Sequence, residues 1–252
     1  RDGTIHRNVY GGGSLANVGA PKIGQSYYQY KKGDTEEGHG EGKQSGNEVN
    51  ITGGTISSAT DYAASYGGNV FGASRGLGTT ETNPAQFSTS VSTEVNITPK
   101  KTGELTYDYT SYPTIAGNVY GGGEAAQVRK DTKLTLIGGI IGEDVYGGGK
   151  GNDAIAADVG GRVTVDLNGI TDDDGNVTLV VPTNKRGCSV RRVFGCNDLN
   201  GTPRGHVKVH VHATQHKDKL AIHDALNEND DYQKYDKFNN IAGYSIKSYD
   251  GL

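Results

Sequence analysis

Short runs in which apolar and polar residues alternate recur along the whole chain. They lie at residues 49–52, 94–98, 134–137, 163–167 and 207–211. Successive side chains of a β-strand point to opposite faces, so this alternation is typical of a strand that rests one face on a core. The pattern predicts five strands, each with apolar side chains on its inner face.

A second repeated pattern joins a polar residue, a valine, an aromatic ring and a glycine. Its five copies begin at Asn8, Asn69, Asn118, Asp144 and Arg192. Alternation places the valine and the glycine of each copy on one side of the strand and the ring on the other. The glycines are predicted to supply the positive φ angles of a tight corner and to leave room for a neighbouring group.

The five rings of this pattern are predicted to form a ladder on the outside of the protein, with rungs about 4.8 Å apart. The rungs are Tyr10, Phe71, Tyr120, Tyr146 and Phe194. Exposed aromatic faces stack on sugars and on partner side chains, which makes these five residues the candidate ligand-binding site. A structural ladder, in which the rings pack on one another, is the favoured interpretation of the same spacing.

Gly-Gly-x-Ile segments, as at residues 53–56 and 138–141, supply a third strand and complete a repeat unit. Val119 and Val145, the closest pair of equivalent valines, are 26 residues apart. That length suits one turn of a parallel β-helix with three short strands better than a propeller blade.

The other repeats are longer, and their extra residues have the composition of loops. Insertions are predicted at residues 24–46, 76–90 and 99–113. The sequence therefore predicts an all-β, parallel β-helix (β-solenoid) of about five coils with long loop insertions. We expect one domain over residues 1–252, as a fragment of a longer repetitive protein.

Two segments break the repeat pattern. An Asp-Gly pair between apolar runs predicts a hairpin over residues 169–181. Helical spacing predicts one short helix over residues 219–226, and residues 240–246 resemble the start of another coil. Cys188 and Cys196 are predicted to stay unbridged unless a sharp corner brings them together, since an extended strand would hold them about 26 Å apart.

Composition narrows the function classes. Hydrophobic residues make up only 33% of the chain, while 40 of its 252 residues are glycine. A solenoid accommodates both values, because its narrow core needs few apolar residues per coil. The net charge of −4 gives no basis for nucleic-acid binding, and no apolar run is long enough to cross a bilayer.

Two groups of residues could hold a cation. Asp172 and Asp174 lie in an acidic turn that lacks the spacing of a calcium loop, so an adventitious Ca²⁺ is the only cofactor considered there. His210 and His212 share one strand face and could bind Zn²⁺, with His216 as a third ligand. A solvated hairpin tip is the favoured interpretation of the aspartates. Exposed polar strand residues are the favoured interpretation of the histidines, because Lys208 on the same face would repel a cation.

Acid–base chemistry has weaker support. The acidic loop at residues 36–41 contains a histidine between two glycines, a setting too mobile for catalysis. A polysaccharide lyase or hydrolase on a β-helix needs carboxylates on adjacent coils of one face. Asp144 and Asp166 are candidates, but their spacing does not set them opposite one another, so a binding protein is favoured over an enzyme.

The repeated strings resemble the long, adhesin-like cell-surface proteins of gut Bacteroidetes. Residues 192–203 and 205–211 carry the closest likeness. The resemblance implies a right-handed parallel β-helix or similar β-solenoid, export, and display on the bacterial cell surface. It brings no catalytic residues, and Cys196 departs from the glycine found in the other copies.

The sequence thus favours a non-enzymatic, extracellular adhesin or structural stalk that binds a glycan or protein ligand through an outer face. A carbohydrate-active enzyme on a β-helix and a phage tail-spike or capsule-binding module are the alternatives. The expected partners include no nucleic acid and no transmembrane segment. End-to-end self-association could occur through exposed strands at uncapped ends.

Overall fold

The computed structural model describes residues 3–16, 18, 46–57, 67–77, 89–172, 174–182 and 185–212. The chain divides into two compact units, Arg1–Ala213 and Thr214–Leu252. The second unit lies outside the described residues, as do the helix predicted at 219–226 and the coil start at 240–246. The single domain expected over residues 1–252 therefore stays a prediction.

The described residues form strands and no helix, in agreement with the predicted all-β class. In chain order the strands are β1 (Thr4–Ile5), β2 (Val9–Tyr10), β3 (Asn47–Ile51), β4 (Thr55–Ile56), β5 (Val70–Phe71), β6 (Thr89–Ser90), β7 (Thr93–Ile97), β8 (Lys100–Lys101), β9 (Tyr107–Asp108), β10 (Thr114–Ile115), β11 (Val119–Tyr120), β12 (Gln127–Val128), β13 (Thr132–Leu136), β14 (Gly139–Ile141), β15 (Asp144–Tyr146), β16 (Val163–Leu167), β17 (Gly169–Thr171), β18 (Val177–Leu179), β19 (Cys188–Ser189), β20 (Arg192–Phe194) and β21 (Val207–Val211).

Three five-stranded parallel sheets dominate the fold. The long-strand sheet has the order β21-β16-β13-β7-β3, the Thr-Ile sheet β1-β4-β10-β14-β19, and the Val-aromatic sheet β2-β5-β11-β15-β20. The chain visits the Thr-Ile, Val-aromatic and long-strand sheets in that order five times, and we call each round a pass. Strands of consecutive passes are neighbours in every sheet.

The register aligns equivalent residues of successive passes. In the long-strand sheet, Val95 pairs with Val49 on one side and Leu134 on the other, and Leu134 pairs with Val165. These side chains belong to one buried apolar core that also contains the valines of the Val-aromatic sheet. The alternation in the sequence therefore identified the buried face of β3, β7, β13 and β16 correctly, while the valines of β21 are exposed.

The polar residue that opens each Val-aromatic copy forms a ladder of its own. The Asn8 side-chain oxygen accepts the backbone N–H of Asn69 at 3.0 Å, and Asn69 does the same for Asn118 at 2.8 Å. Asn118 accepts the N–H of Asp144 at 3.0 Å. Each side chain therefore satisfies a backbone donor of the next pass, a role that the sequence pattern did not reveal.

The glycines that follow the rings are required for close packing, and the predicted positive φ angles are wrong for them. None of these glycines, all of which are described, has a positive φ. A Cβ added to Gly121 would lie 2.2 Å from the carbonyl oxygen of Gly147 and 2.4 Å from Cδ1 of Leu134. Adjacent passes approach so closely here that no side chain fits.

Two further rows of single-residue bridges run through all five passes between the Val-aromatic and long-strand sheets. One row joins Ser14, Arg75, Glu124, Lys150 and Asp198. The other joins Val18, Ser90, Val128, Val159 and Pro203, partly through β6 and β12. The repeat unit therefore contains two paired positions in addition to the three predicted strands. The sequence did not reveal them, because a bridge of one residue leaves no alternation.

Two antiparallel hairpins leave the parallel sheets. The hairpin predicted over 169–181 is confirmed as β17 with β18, and its tip places Gly175 at φ +87°. Cys188–Ser189, beyond this hairpin, pairs with β14 and supplies the Thr-Ile sheet strand of the fifth pass. The second hairpin pairs β8 with β9 inside the insertion at 99–113.

Cys188 is buried and Cys196 is exposed, and both are free thiols. The continuous strand assumed between them is absent, because the chain passes from β19 in the Thr-Ile sheet to β20 in the Val-aromatic sheet. Among the described residues, no helix is long and apolar enough to cross a membrane.

Candidate functional site

The five rings of the Val-aromatic sheet do form a continuous stack. The ring centroids of Tyr10 and Phe71 are 5.0 Å apart, and those of Phe71 and Tyr120 are 4.6 Å apart. Tyr146 and Phe194 continue the stack at spacings of 5.1 Å and 5.0 Å. The ladder predicted from the sequence is thus present, with the rings nearly parallel throughout.

The exposed position predicted for this ladder is wrong at its centre. Phe71 is 0% exposed and Tyr120 is 1% exposed, so neither ring has a face open to a ligand. Tyr10 and Tyr146 are half-buried, and Phe194 at the end of the stack is 39% exposed. This burial favours a structural ladder, and the ligand-binding role of the five rings stays a prediction.

Polar contacts hold the ring edges. The hydroxyl of Tyr120 donates a hydrogen bond to Asp198 at 3.0 Å, and the hydroxyl of Tyr10 donates to Glu124. Both acceptors belong to the first row of single-residue bridges. Burial, reinforced by these carboxylates, raises the pKa of both tyrosines well above the ordinary value, so the hydroxyls remain donors.

The outer face of the long-strand sheet carries aligned rows of polar side chains. One row contains Glu48, Glu94, Lys133, Thr164 and Lys208, and the next contains Asn50, Asn96, Thr135, Asp166 and His210. Over the first three passes these rows form the floor of a groove of about 410 Å³, which we call the outer groove.

The hairpins supply residues on the sides of the outer groove. Lys101, Glu104 and Tyr107 come from the hairpin of β8 and β9, and Ile170 comes from the hairpin of β17. The Tyr109 hydroxyl, just beyond β9, donates a hydrogen bond of 2.9 Å to the carbonyl oxygen of Val180. This contact joins the insertion at 99–113 to the segment that follows β18.

Amide and carboxylate groups on the groove floor are hydrogen-bonded to one another. The Asn96 amide donates to Asn50 at 3.0 Å, and the Asn50 amide donates to Glu48 at 2.9 Å. Such a network fixes the direction of the remaining donors and acceptors toward the groove. Glu48 and Glu94 are direct neighbours in the register, so two carboxylates lie on adjacent passes of one face.

The predicted metal ligands His210 and His212 meet a carboxylate beyond the outer groove, on passes four and five. Nδ1 of His210 lies 2.8 Å from Oδ1 of Asp166, and Nε2 of His212 lies 3.9 Å from the same oxygen. Nε2 of His212 is also 3.0 Å from the Thr171 hydroxyl. The predicted third ligand, His216, lies outside the described residues.

Asp172 and Asp174 occupy the tip of the hairpin and do not join that cluster. The Asp172 carboxylate accepts the backbone N–H groups of Asp174 and Asn176, at 3.0 and 2.8 Å. The Asn176 side chain donates to it as well, and these hydrogen bonds lower the pKa of Asp172. The turn is therefore satisfied internally, and a cation role for these two residues stays a prediction.

The sequence contains the signal that would have placed Asp166 beside His210. Residues 163–167 and 207–211 both alternate valine or leucine with polar residues over five positions. Aligning the two runs residue by residue sets Asp166 opposite His210, which is the register of the structure. Asp144, the other carboxylate considered with Asp166, lies in the Val-aromatic sheet instead.

Two arginines clamp Asp144, which is only 2% exposed. Arg191 and Arg192 each donate two hydrogen bonds to its carboxylate, at 2.6 to 3.0 Å. These hydrogen bonds, that from Arg192 foremost, hold the pKa of Asp144 far below its usual range. The arrangement serves as a structural tie between passes four and five.

We expect Asp144→Asn to lower the free energy of unfolding by about 2 kcal/mol at pH 7, because charge-assisted bonds from both arginines are lost. The ionised Asp144 contributes stability above the unfolded pKa of about 3.9, and this contribution disappears as the pH falls toward the lower folded value. The stabilities that urea titrations give for the two proteins should therefore begin to converge below about pH 4 and approach each other only as the pH nears the folded pKa of Asp144. Glu143→Gln, which removes an exposed partner of Arg191, should cost less than about 1 kcal/mol. An equal loss of unfolding free energy in Asp144→Asn and Glu143→Gln would contradict the structural role of Asp144 between passes four and five.

No family model, curated protein or solved structure matches the chain. Function is therefore argued from the geometry of the sites themselves.

Proposed function

We propose that the five passes are the coils of a right-handed parallel β-helix. The support is the shared strand order of the three parallel sheets and the two extra rows that repeat with the same five members. Right-handedness follows the strong preference of parallel strand connections for that hand. The glycines and the stacked rings repeat at the spacing that such a column requires.

The protein acts in this proposal as a non-enzymatic adhesin or stalk on the bacterial cell surface, with a glycan or protein ligand bound on an outer face. The observation that carries it is the outer groove, where polar side chains of three consecutive passes face a concave space. The resemblance to adhesin-like surface proteins of Bacteroidetes supports the extracellular setting.

The chemistry of the outer groove suits a hydroxyl-rich polymer better than an apolar one. Its floor presents the amides of Asn50 and Asn96 and the carboxylates of Glu48 and Glu94, which accept and donate to hydroxyl groups. Tyr107 on the wall provides an aromatic surface for a sugar ring. Because the floor repeats from pass to pass, it fits a chain of similar units lying along the column.

A glycan array tests this assignment. We expect the wild-type protein to retain a subset of the immobilised glycans, and the double variant Asn50→Ala/Tyr107→Ala to lose at least about tenfold in affinity. Lys208→Ala is the matched control, since it alters an exposed residue of the same sheet face outside the groove. An array without any retained glycan would rule out the glycan ligand, and equal binding by the double variant would rule out the outer groove.

A carbohydrate-active enzyme is the second candidate, and one observation favours it. Glu48 and Glu94 are register neighbours on the groove floor, with Lys133 next in the row, and paired carboxylates on one face are what glycoside cleavage uses. If the protein is an adhesin, incubation with a panel of polysaccharides should produce no new reducing ends and no unsaturated uronate. Turnover by the wild-type protein that disappears in Glu94→Gln would show that the protein is an enzyme and would contradict the adhesin proposal.

A further inference from the structure

We propose that Asp166, His210 and His212 form a binding site for a divalent transition metal ion of the Zn²⁺ type. The three side chains come from adjacent passes, Asp166 from β16 and the histidines from β21 and the residue after it. One ligand atom from each lies within 4.8 Å of the others. Imidazole nitrogens and a carboxylate oxygen are the donor set of many zinc sites with three protein ligands.

The distances fit an ion with little rearrangement. Ligands about 2.0–2.1 Å from a tetrahedral Zn²⁺ lie about 3.3 Å from each other. The distances from Oδ1 of Asp166 are 2.8 Å to His210 and 3.9 Å to His212, so they bracket that value. The ligand atoms of His210 and His212 also lie within 4.8 Å of each other, so side-chain rotations alone can bring the three atoms to that separation.

The second observation is the unsatisfied carboxylate. Asp166 is 0% exposed, and its Oδ2 atom is buried without a hydrogen-bond partner among the described residues. A buried carboxylate oxygen without a partner is costly, and a cation that both oxygens of Asp166 coordinate would remove that cost. The neighbouring His212 is 13% exposed, so the cluster stays open to solvent on the histidine side.

Charges of both signs surround the cluster. A cavity of about 130 Å³ next to His210 is lined by the cationic side chains of Lys133, Arg162 and Lys208 and by the carboxylates of Asp131 and Asp172. Arg162 forms an ion pair with Asp131 at 3.5 Å. The three protein ligands leave a fourth position, which a water molecule or a carboxylate of a ligand could take.

A bound ion would also fasten the edge of the long-strand sheet. Both histidines belong to the fifth pass, whose inner residues Val207, Val209 and Val211 are between 39% and 54% exposed. The fifth pass therefore has less core than the others to hold it. Coordination to Asp166 adds a cross-strand link to pass four, independent of whether the protein is an adhesin or an enzyme.

Calorimetric titration of the full chain with ZnCl₂, and with CoCl₂ followed by visible absorption, tests the site. We expect one saturable ion per chain and a Co²⁺ spectrum of tetrahedral type. Asp166→Asn and His212→Gln should each weaken binding at least about 100-fold, while His206→Gln, an exposed histidine outside the cluster, should bind like wild type. Saturating Zn²⁺ should raise the Tm of wild type by roughly 5 °C or more and leave that of His212→Gln unchanged.

Several outcomes would overturn the site. They are the absence of saturable binding, a wild-type affinity in His212→Gln, and an equal loss in the His206→Gln control. The buried position of Asp166 makes misfolding of Asp166→Asn a possible result. In that case His212→Gln alone tests the site, because this variant keeps the hydrogen bond between Asp166 and His210. Circular dichroism of each variant before titration checks that the fold is retained.

Discussion

Replacing Gly121 by alanine should destabilise the protein by about 3 kcal/mol or more, because the new methyl group has no space. Its Cβ would lie 2.2 Å from a backbone carbonyl oxygen of the next pass, and 2.4 Å from the side chain of Leu134. The backbone oxygen belongs to Gly147, which is itself packed against Val163 and pass five, so it cannot move away without shifting several strands. Urea unfolding followed by circular dichroism measures the loss.

Gly53→Ala is the matched control for this substitution. A Cβ at Gly53 would meet only the Ser111 hydroxyl at 3.6 Å, and the backbone there has no positive φ. Its free energy of unfolding should change by less than about 0.5 kcal/mol, or rise slightly through the stiffer unfolded chain. Equal effects at Gly53 and Gly121 would contradict close contact between passes three and four.

Tyr120→Ala should cost about 3–5 kcal/mol, the usual loss for truncating a fully buried aromatic side chain. The ring is stacked between Phe71 and Tyr146, and its hydroxyl loses the bond to Asp198. Thermal unfolding in the presence and absence of a retained glycan separates stability from binding.

The matched control for the ring is Phe194→Ala, at the exposed end of the same stack. It should cost roughly 1 kcal/mol, since the ring already contacts solvent and stacks on one ring only, with the Arg192 guanidinium 5.4 Å from its centroid. If Tyr120→Ala keeps wild-type stability and loses ligand affinity instead, the ladder is a binding surface and the structural interpretation is wrong.

Alternation predicted the strands well because it arises from the burial of one face of each strand against the core. Val95, Leu134 and Val165 stand in a single column of the long-strand sheet, as their spacing within each run required. The stack of rings was also predictable, since equal positions in equal strands must align. The hairpin at 169–181 followed from its Asp-Gly turn.

The remaining features depend on parts of the chain that alternation does not describe. Alternation indicates on which side of a strand the Tyr120 ring lies, but not that other residues bury it. The rows through Glu124 and Val128 consist of bridges of one or two residues, too short to show alternation. Asp166 and His210 are 44 residues apart, and alternation within one run does not show that they meet, because that requires the alignment of two separate runs.

Distances between spin labels test the proposed β-helix most directly. Glu48, Glu94 and Lys208 are exposed residues of one outer row, in passes one, two and five. The labels are attached in pairs to a protein that carries Cys188→Ala and Cys196→Ser. The Cα atoms of residues 48 and 208 should lie four strand spacings apart, about 19 Å. Those of residues 94 and 208 should lie about 14 Å apart. Pulsed electron spin resonance should give two narrow distributions that differ by about one spacing of 4.8 Å, after allowance for the label linkers. Broad distributions, or a pair at 48 and 208 that is no farther apart than the pair at 94 and 208, would contradict stacking of the five passes in chain order.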